Sequence, residues 1–141
     1  MKNYLLGITI ALLGLISCSR GYEAIDYGND GCAHCKMTIV DKRFAAEFLT
    51  TKGKPYKFDD VHCMVLFLAE HKNITAAQVY VQDYLDMKGI PLNASKAVFL
   101  QHESFKSPMG GNYAAFETET EASELSKSLN VKPVDWEIIK K

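Results

Sequence analysis

The sequence predicts an α+β fold: two similar β-β-α-β modules behind a lipoprotein signal peptide. Three observations carry this. β-rich or alternating stretches come in pairs, each followed by a stretch with helical apolar spacing and then by a further β-rich stretch, and this order occurs twice. Phe58 and Phe116 each end a strand just before a helix, Gly53 and Gly111 precede them alike, and the offset in both pairs is 58 residues. The first apolar run of the chain is short and stops at a cysteine.

The N-terminal run comes first. Lys2 supplies a positive start, and residues 5–16 are apolar with two glycines, too short for an ordinary membrane span. The run closes on Leu15, Ile16, Ser17 and Cys18, which resembles the bacterial lipobox, whose cysteine is lipidated and begins the mature protein. A plain secretory signal with a chance cysteine is the alternative. Residues 1–17 are thus expected as a signal peptide, and residues 18–30 as the lipidated cysteine and a polar tether, SRGYEAIDYGND. A lipid anchor places the domain outside the cytoplasmic membrane, attached to a bilayer rather than spanning it.

The first module is expected over residues 31–86. RFAAEFLTT (43–51) is β-rich, KGKP (52–55) supplies turn chemistry, and PYKFD (55–59) alternates as a second strand. Asp59 or Asp60 then caps a helix over 60–72, with Val61, Met64, Val65 and Leu68 on one face and Leu66 and Phe67 widening it. AQVYVQDYL (77–85) is the third strand. The second module, residues 87–141, repeats the order: KAVFLQHE (96–103), the turn-rich SPMGG (107–111), NYAAF (112–116), then a helix over 118–130 opened by a capping box from Thr118 to Glu121. VDWEII (134–139) is the expected closing strand.

Composition narrows the function. Of 141 residues, 48% are hydrophobic and 23% charged, as in ordinary globular proteins. The net charge is −1, and −2 once Lys2 leaves with the signal peptide; with no basic stripe, nucleic acid is excluded as a partner. With Cys18 lipidated, Cys32, Cys35 and Cys63 remain, an odd number, so at least one thiol stays unpaired within the chain. There is no nucleophile elbow, phosphate loop or carboxylate pair with an evident role, and an enzyme is not expected.

The stretch GCAHCKM, residues 31–37, holds the chemistry. A c-type haem needs C-x-x-C-H, but Lys36 follows Cys35. A thiol-disulfide oxidoreductase using Cys32 and Cys35 would place the pair at a helix start, whereas Cys35 leads into β-rich MTIVD. A structural zinc domain could draw on Cys32, Cys35, His62 and Cys63, but His62 and Cys63 are neighbours on a helix and point roughly 100° apart. The methionines favour a softer ion. Met37 is two residues from Cys35, Met64 adjoins Cys63, and Met109 sits in a turn that has no need of methionine. Thiolate with thioether is a soft set that suits Cu(I), and one thiolate with two thioethers makes a neutral site. Met64 also lies on the apolar helix face, where packing alone accounts for it. Cys63 reads equally as a buried structural thiol.

Taken together, the lipobox cysteine, CAHCKM, AAEF, YKFDD followed by a Cys-Met pair, and SPMGGNYAAF resemble the NosL-type accessory proteins of nitrous oxide reductase, from about residue 27 to residue 116. The resemblance implies a membrane-anchored, periplasmic Cu(I)-binding metallochaperone of two β-β-α-β modules. It would deliver copper for maturation of nitrous oxide reductase, working with an ABC-transporter complex and its periplasmic partner. The family's Cys-x-Met motif falls on Cys35 and Met37, and its Pro-Met-Gly loop on Pro108, Met109 and Gly110. The implied copper ligands are therefore Cys35, Met37 and Met109, with Cys32, Cys63 and Met64 as further candidates. Many members carry glycine where this chain has Lys36, and Cys32 is not universal; it is either an extra ligand or the partner of Cys35 in a reversible disulfide.

Overall fold

The computed structural model of this chain describes residues 21–88 and 90–141. The expected signal peptide and Cys18 lie outside the described residues. Secondary structure runs β1 (Ala46–Thr50), β2 (Pro55–Phe58), α1 (Val61–Glu70), β3 (Ala76–Val81), β4 (Leu92–Asn93), β5 (Val98–Gln101), β6 (Tyr113–Phe116), α2 (Glu119–Leu129) and α3 (Trp136–Ile139), with short 3-10 turns at Lys42–Phe44 and Glu103–Phe105. This is a mixed helix-and-sheet fold, as expected. No described helix is long and apolar enough to cross a membrane.

The first sheet has the order β2-β1-β3-β4, with every pair antiparallel. β1 is central, and Phe48 on it faces Tyr56 of β2 and Val79 of β3. Its ring stacks on Tyr56 at 5.0 Å and on Phe58 at 5.6 Å, and α1 closes this face with Phe67, 5.5 Å from Phe58. The apolar face of α1 is centred differently from the expected stripe. Val61, Met64 and Phe67 are buried as read and Cys63 joins them, while Val65, Leu66 and Leu68 are only half-buried. The aromatic surface offered by Phe48, Tyr56 and Phe58 turns the helix toward Phe67. That rotation also carries Cys63 inward.

β5 and β6 form the second sheet, over a smaller core of Phe44, Leu100, Phe105, Ala114, Phe116 and Ala122. α2 opens with the expected capping box between Thr118 and Glu121. Tyr84 ties the halves together: its N–H donates to Ala115 O at 2.8 Å, and its ring meets Phe105 and Phe116.

Three expectations are corrected. The strand expected over 77–85 ends at Val81, because the chain leaves β1 there and crosses to β6 through a single bridge from Asp83 to Ala115. The closing strand over 134–139 is not formed. Val134 makes one bridge to Phe99; Asp135 then caps α3, its side chain accepting from Ile138 N. Trp136 and Ile139, one turn apart, are buried while Ile138 is exposed, which a strand could not arrange. Finally, residues 21–30, expected as a tether, lie against the first sheet. Ile25 is buried, and the Lys57 ammonium on β2 meets Asp30 at 2.8 Å and Glu23 at 3.2 Å.

Glu47 on β1 is fully buried; one carboxylate oxygen accepts from Glu23 N–H at 2.9 Å and the other has no partner. Burial pushes its carboxyl up from the ordinary 4.5 to about 7, with Lys57 pulling the other way. The folded chain thus holds this proton more tightly than the unfolded one, so the contribution of Glu47 to stability is greatest below pH 4.5 and is lost as pH rises through about 7. Glu47→Gln keeps the bond to Glu23 and removes the charge. It should raise stability by about 2 kcal/mol at pH 8 and by little at pH 4.5, read from thermal melts at both pH values.

Candidate metal centre

The stretch around Cys32 and Cys35 folds as a closed loop. Gly31 bridges Thr38, Cys32 N–H donates to Met37 O at 2.8 Å, and Lys36 N–H donates to Cys32 O at 3.1 Å. Ala33 N–H donates to Lys57 O at 2.8 Å, which seats the loop on β2. Neither cysteine opens a helix. Lys36 has φ +68° and its ammonium donates to Ala33 O at 2.6 Å. A left-handed residue costs a side chain about 1 kcal/mol, so the backbone at this position would suit glycine. The lysine chain bends back over the loop.

β2 runs out of Phe58 into Asp59 and Asp60, and α1 begins at Val61. The two aspartates divide the work. Asp60 is fully buried and extended, φ −150° and ψ 140°. One of its oxygens caps α1 by accepting from His62 N–H at 2.8 Å. The other accepts from Ser107 Oγ–H at 2.6 Å and from Met109 N–H at 3.0 Å. The second sulfur-bearing loop is therefore pinned to the start of the helix. The loop is closed on itself as well, since Ser107 N–H donates to the Asn112 side chain at 2.9 Å and Asn112 N–H to Ser107 Oγ at 2.7 Å.

Asp59 serves the other loop. It is 2% exposed, and the Cys35 thiol donates to its Oδ2 at 3.4 Å. Ligand atoms of Cys32, Cys35, Asp59 and Cys63 all lie within 4.8 Å of one another. The three cysteines are free thiols. Burial pushes the Cys32 thiol up to about 11. Burial, with Cys32 and Asp59 adding to it, raises Cys63 further. Without metal these two sulfurs are neutral, and a metal must displace their protons.

The candidate residues are thus sorted. Cys32, Cys35 and Cys63 come together. Met37 shares the loop of Cys35 and is 53% exposed; Met109, 38% exposed, rides the loop pinned by Asp60. Met64 is fully buried in the main apolar core, where packing accounts for it. His62 stays out of the cluster and lies against Gly111. The member missed in the sequence is Asp59. A helix needs one capping aspartate, and the surplus carboxylate in Asp59-Asp60 was the available signal.

Fold and site define a small α+β protein with a sulfur-rich candidate metal centre gathered at one helix end. The NosL family model matches residues 26–140, and the chain belongs to the NosL family. The crystal structure of the copper chaperone NosL from Shewanella denitrificans is similar, with a TM-score of 0.66 and 23% identity, over 83% of this chain and 93% of that one. At that identity the likeness speaks for the fold. No curated protein matches.

Proposed function

We propose that this protein is an extracytoplasmic, lipid-anchored Cu(I) metallochaperone that delivers copper for maturation of nitrous oxide reductase, a carrier rather than an enzyme. Its ligands are the Cys35 thiolate and the Met37 and Met109 thioethers, drawn from two related modules divided near residue 86. The observation that carries this reading is the arrangement of the two sulfur loops on consecutive aspartates: Cys35 on Asp59, Met109 on Asp60. The thioethers stand in solvent, where a single exposed apolar side chain gains nothing by packing. A neutral thiolate-thioether set holds Cu(I) without excess charge. Exposed ligands can be displaced one at a time by sulfur or nitrogen ligands of an acceptor, so copper passes by exchange without being set free. The partners on this reading are the ABC-transporter complex of nitrous oxide reductase maturation, its periplasmic protein and the reductase.

Titrating the reduced full-length chain, held in detergent, with Cu(I) against a chromophoric chelator tests this. One equivalent should be withheld from the chelator. Cys35→Ser, and Met37→Leu with Met109→Leu, should each weaken binding at least about tenfold. Wild-type affinity in both variants would remove the site.

A further inference from the structure

We infer that Cys32, Cys35, Asp59 and Cys63 form a second, buried metal seat of three sulfurs and one oxygen, suited to a thiophilic divalent cation of the zinc class. The inference rests on the proposed copper site only in that both use Cys35.

Four ligand atoms within 4.8 Å of one another are close to what a tetrahedral ion needs. With bonds of about 2.3 Å to sulfur, a tetrahedron has edges of roughly 3.8 Å, so a contraction of about 1 Å closes it. The ligands sit on well-held parts of the fold. Cys63 is in the first turn of α1, Asp59 joins β2 to that helix, and Cys32 is fixed through its N–H to Met37 O at 2.8 Å. Cys32 and Cys63 are 1% and 0% exposed, so the inner side of the seat is shielded from water, with half-buried Cys35 at its outer edge.

The second observation is Asp59 itself. Its Oδ2 takes the Cys35 thiol, but its Oδ1 is buried with no hydrogen-bond partner. An orphaned carboxylate oxygen costs on the order of 1–3 kcal/mol, more when charged. A cation set between Asp59 and the three sulfurs satisfies it. His62 is not among the grouped ligand atoms, and Asp59 supplies the fourth ligand in its place.

Ligand chemistry separates the two seats. The outer set is one thiolate with thioethers, soft and neutral with Cu(I). The inner set is anionic and includes a hard oxygen, a charge and a four-ligand mix that a tetrahedral divalent ion of the zinc class satisfies. Binding forms three metal–sulfur bonds and releases the three thiol protons to solvent. Because Cys35 belongs to both sets, a divalent ion inside draws that sulfur away from the outer site.

The test uses Co(II) as a spectroscopic stand-in for zinc, with the reduced full-length chain in detergent under anaerobic conditions. One equivalent should bring sulfur-to-cobalt charge-transfer absorption in the near ultraviolet and strong visible bands of a tetrahedral site, both abolished by stoichiometric Zn(II). Cys63→Ser and Asp59→Asn should each weaken Co(II) binding at least about tenfold. The second preserves side-chain shape and stands if the first does not fold by circular dichroism. Met37→Leu with Met109→Leu should leave the cobalt spectrum unchanged while losing Cu(I). No tetrahedral spectrum, or one unchanged in a folded Asp59→Asn protein, overturns the inner seat. Copper binding that survives the methionine changes overturns the outer one instead, and the two failures are separate.

Discussion

Asp60→Ala should destabilise the protein by about 4 kcal/mol, a large share of the 5–15 kcal/mol that holds a domain of this size together. The figure is built from three losses. Removing the helix cap costs about 1 kcal/mol. The bonds from Ser107 Oγ–H and Met109 N–H to a buried carboxylate are charge-assisted, at roughly 1.5–3 kcal/mol each, and they overlap because both donors sit on one loop. Asp60→Asn keeps one carbonyl oxygen for the cap but turns an amide N–H₂ toward two donors, so it should recover only part of the loss. Urea unfolding of the reduced proteins measures both. The Asp60→Ala protein, where still folded, should also bind Cu(I) more weakly, because the Met109 loop has lost its anchor. Wild-type stability in Asp60→Ala would show that the aspartate does not hold the loop.

Gly111→Ala carries the next largest effect. A methyl group there would lie 2.3 Å from His62 Cβ and 3.0 Å from Asp60 Oδ1. His62 Cβ is fixed to the first turn of α1 and cannot swing aside, so the loop must retreat and pull Ser107 and Met109 off Asp60. A cost of about 2–3 kcal/mol is expected, with a fall in Cu(I) affinity that melting curves and the chelator competition would register together. Gly110, next to it, has open space around its Cα but a φ of +73°. Alanine there should cost only about 1 kcal/mol of backbone strain. Two adjacent glycines are thus required for different reasons, and wild-type stability in the Gly111→Ala protein would refute the close contact.

The order of strands and helices was readable because it rests on local pattern. The alternation of PYKF, the apolar spacing after Asp60 and the Thr118 to Glu121 box each act over a few residues. The closing segment misled because Val134, Trp136, Ile138 and Ile139 read as β-formers, while Asp135 as a cap and the three-residue step from Trp136 to Ile139 fit one helical turn equally well. β4 has two residues, too few for any pattern. The cysteines and methionines were visible as a soft set, yet their grouping was not. That Cys32 and Cys63 adjoin, and that α1 turns to place Cys63 inward, follows from aromatic packing of Phe67 on Phe48, Tyr56 and Phe58, which no short window contains. Asp59 was hidden by its neighbour, since capping accounted for either aspartate.

The turn over residues 51–54 faces solvent and can accept an inserted residue with little loss, as surface turns generally do. Between Phe58 and Val61 there is no such slack. Phe58 must end in the core and Val61 must begin the helix, and the two residues between them send their carboxylates to different loops. Deleting one leaves a single carboxylate for both loops; adding one shifts the helix against β2 and turns Cys63 away from Cys32. The chain can lengthen at that turn and keep its fold, whereas the two aspartates are required in number as well as in kind.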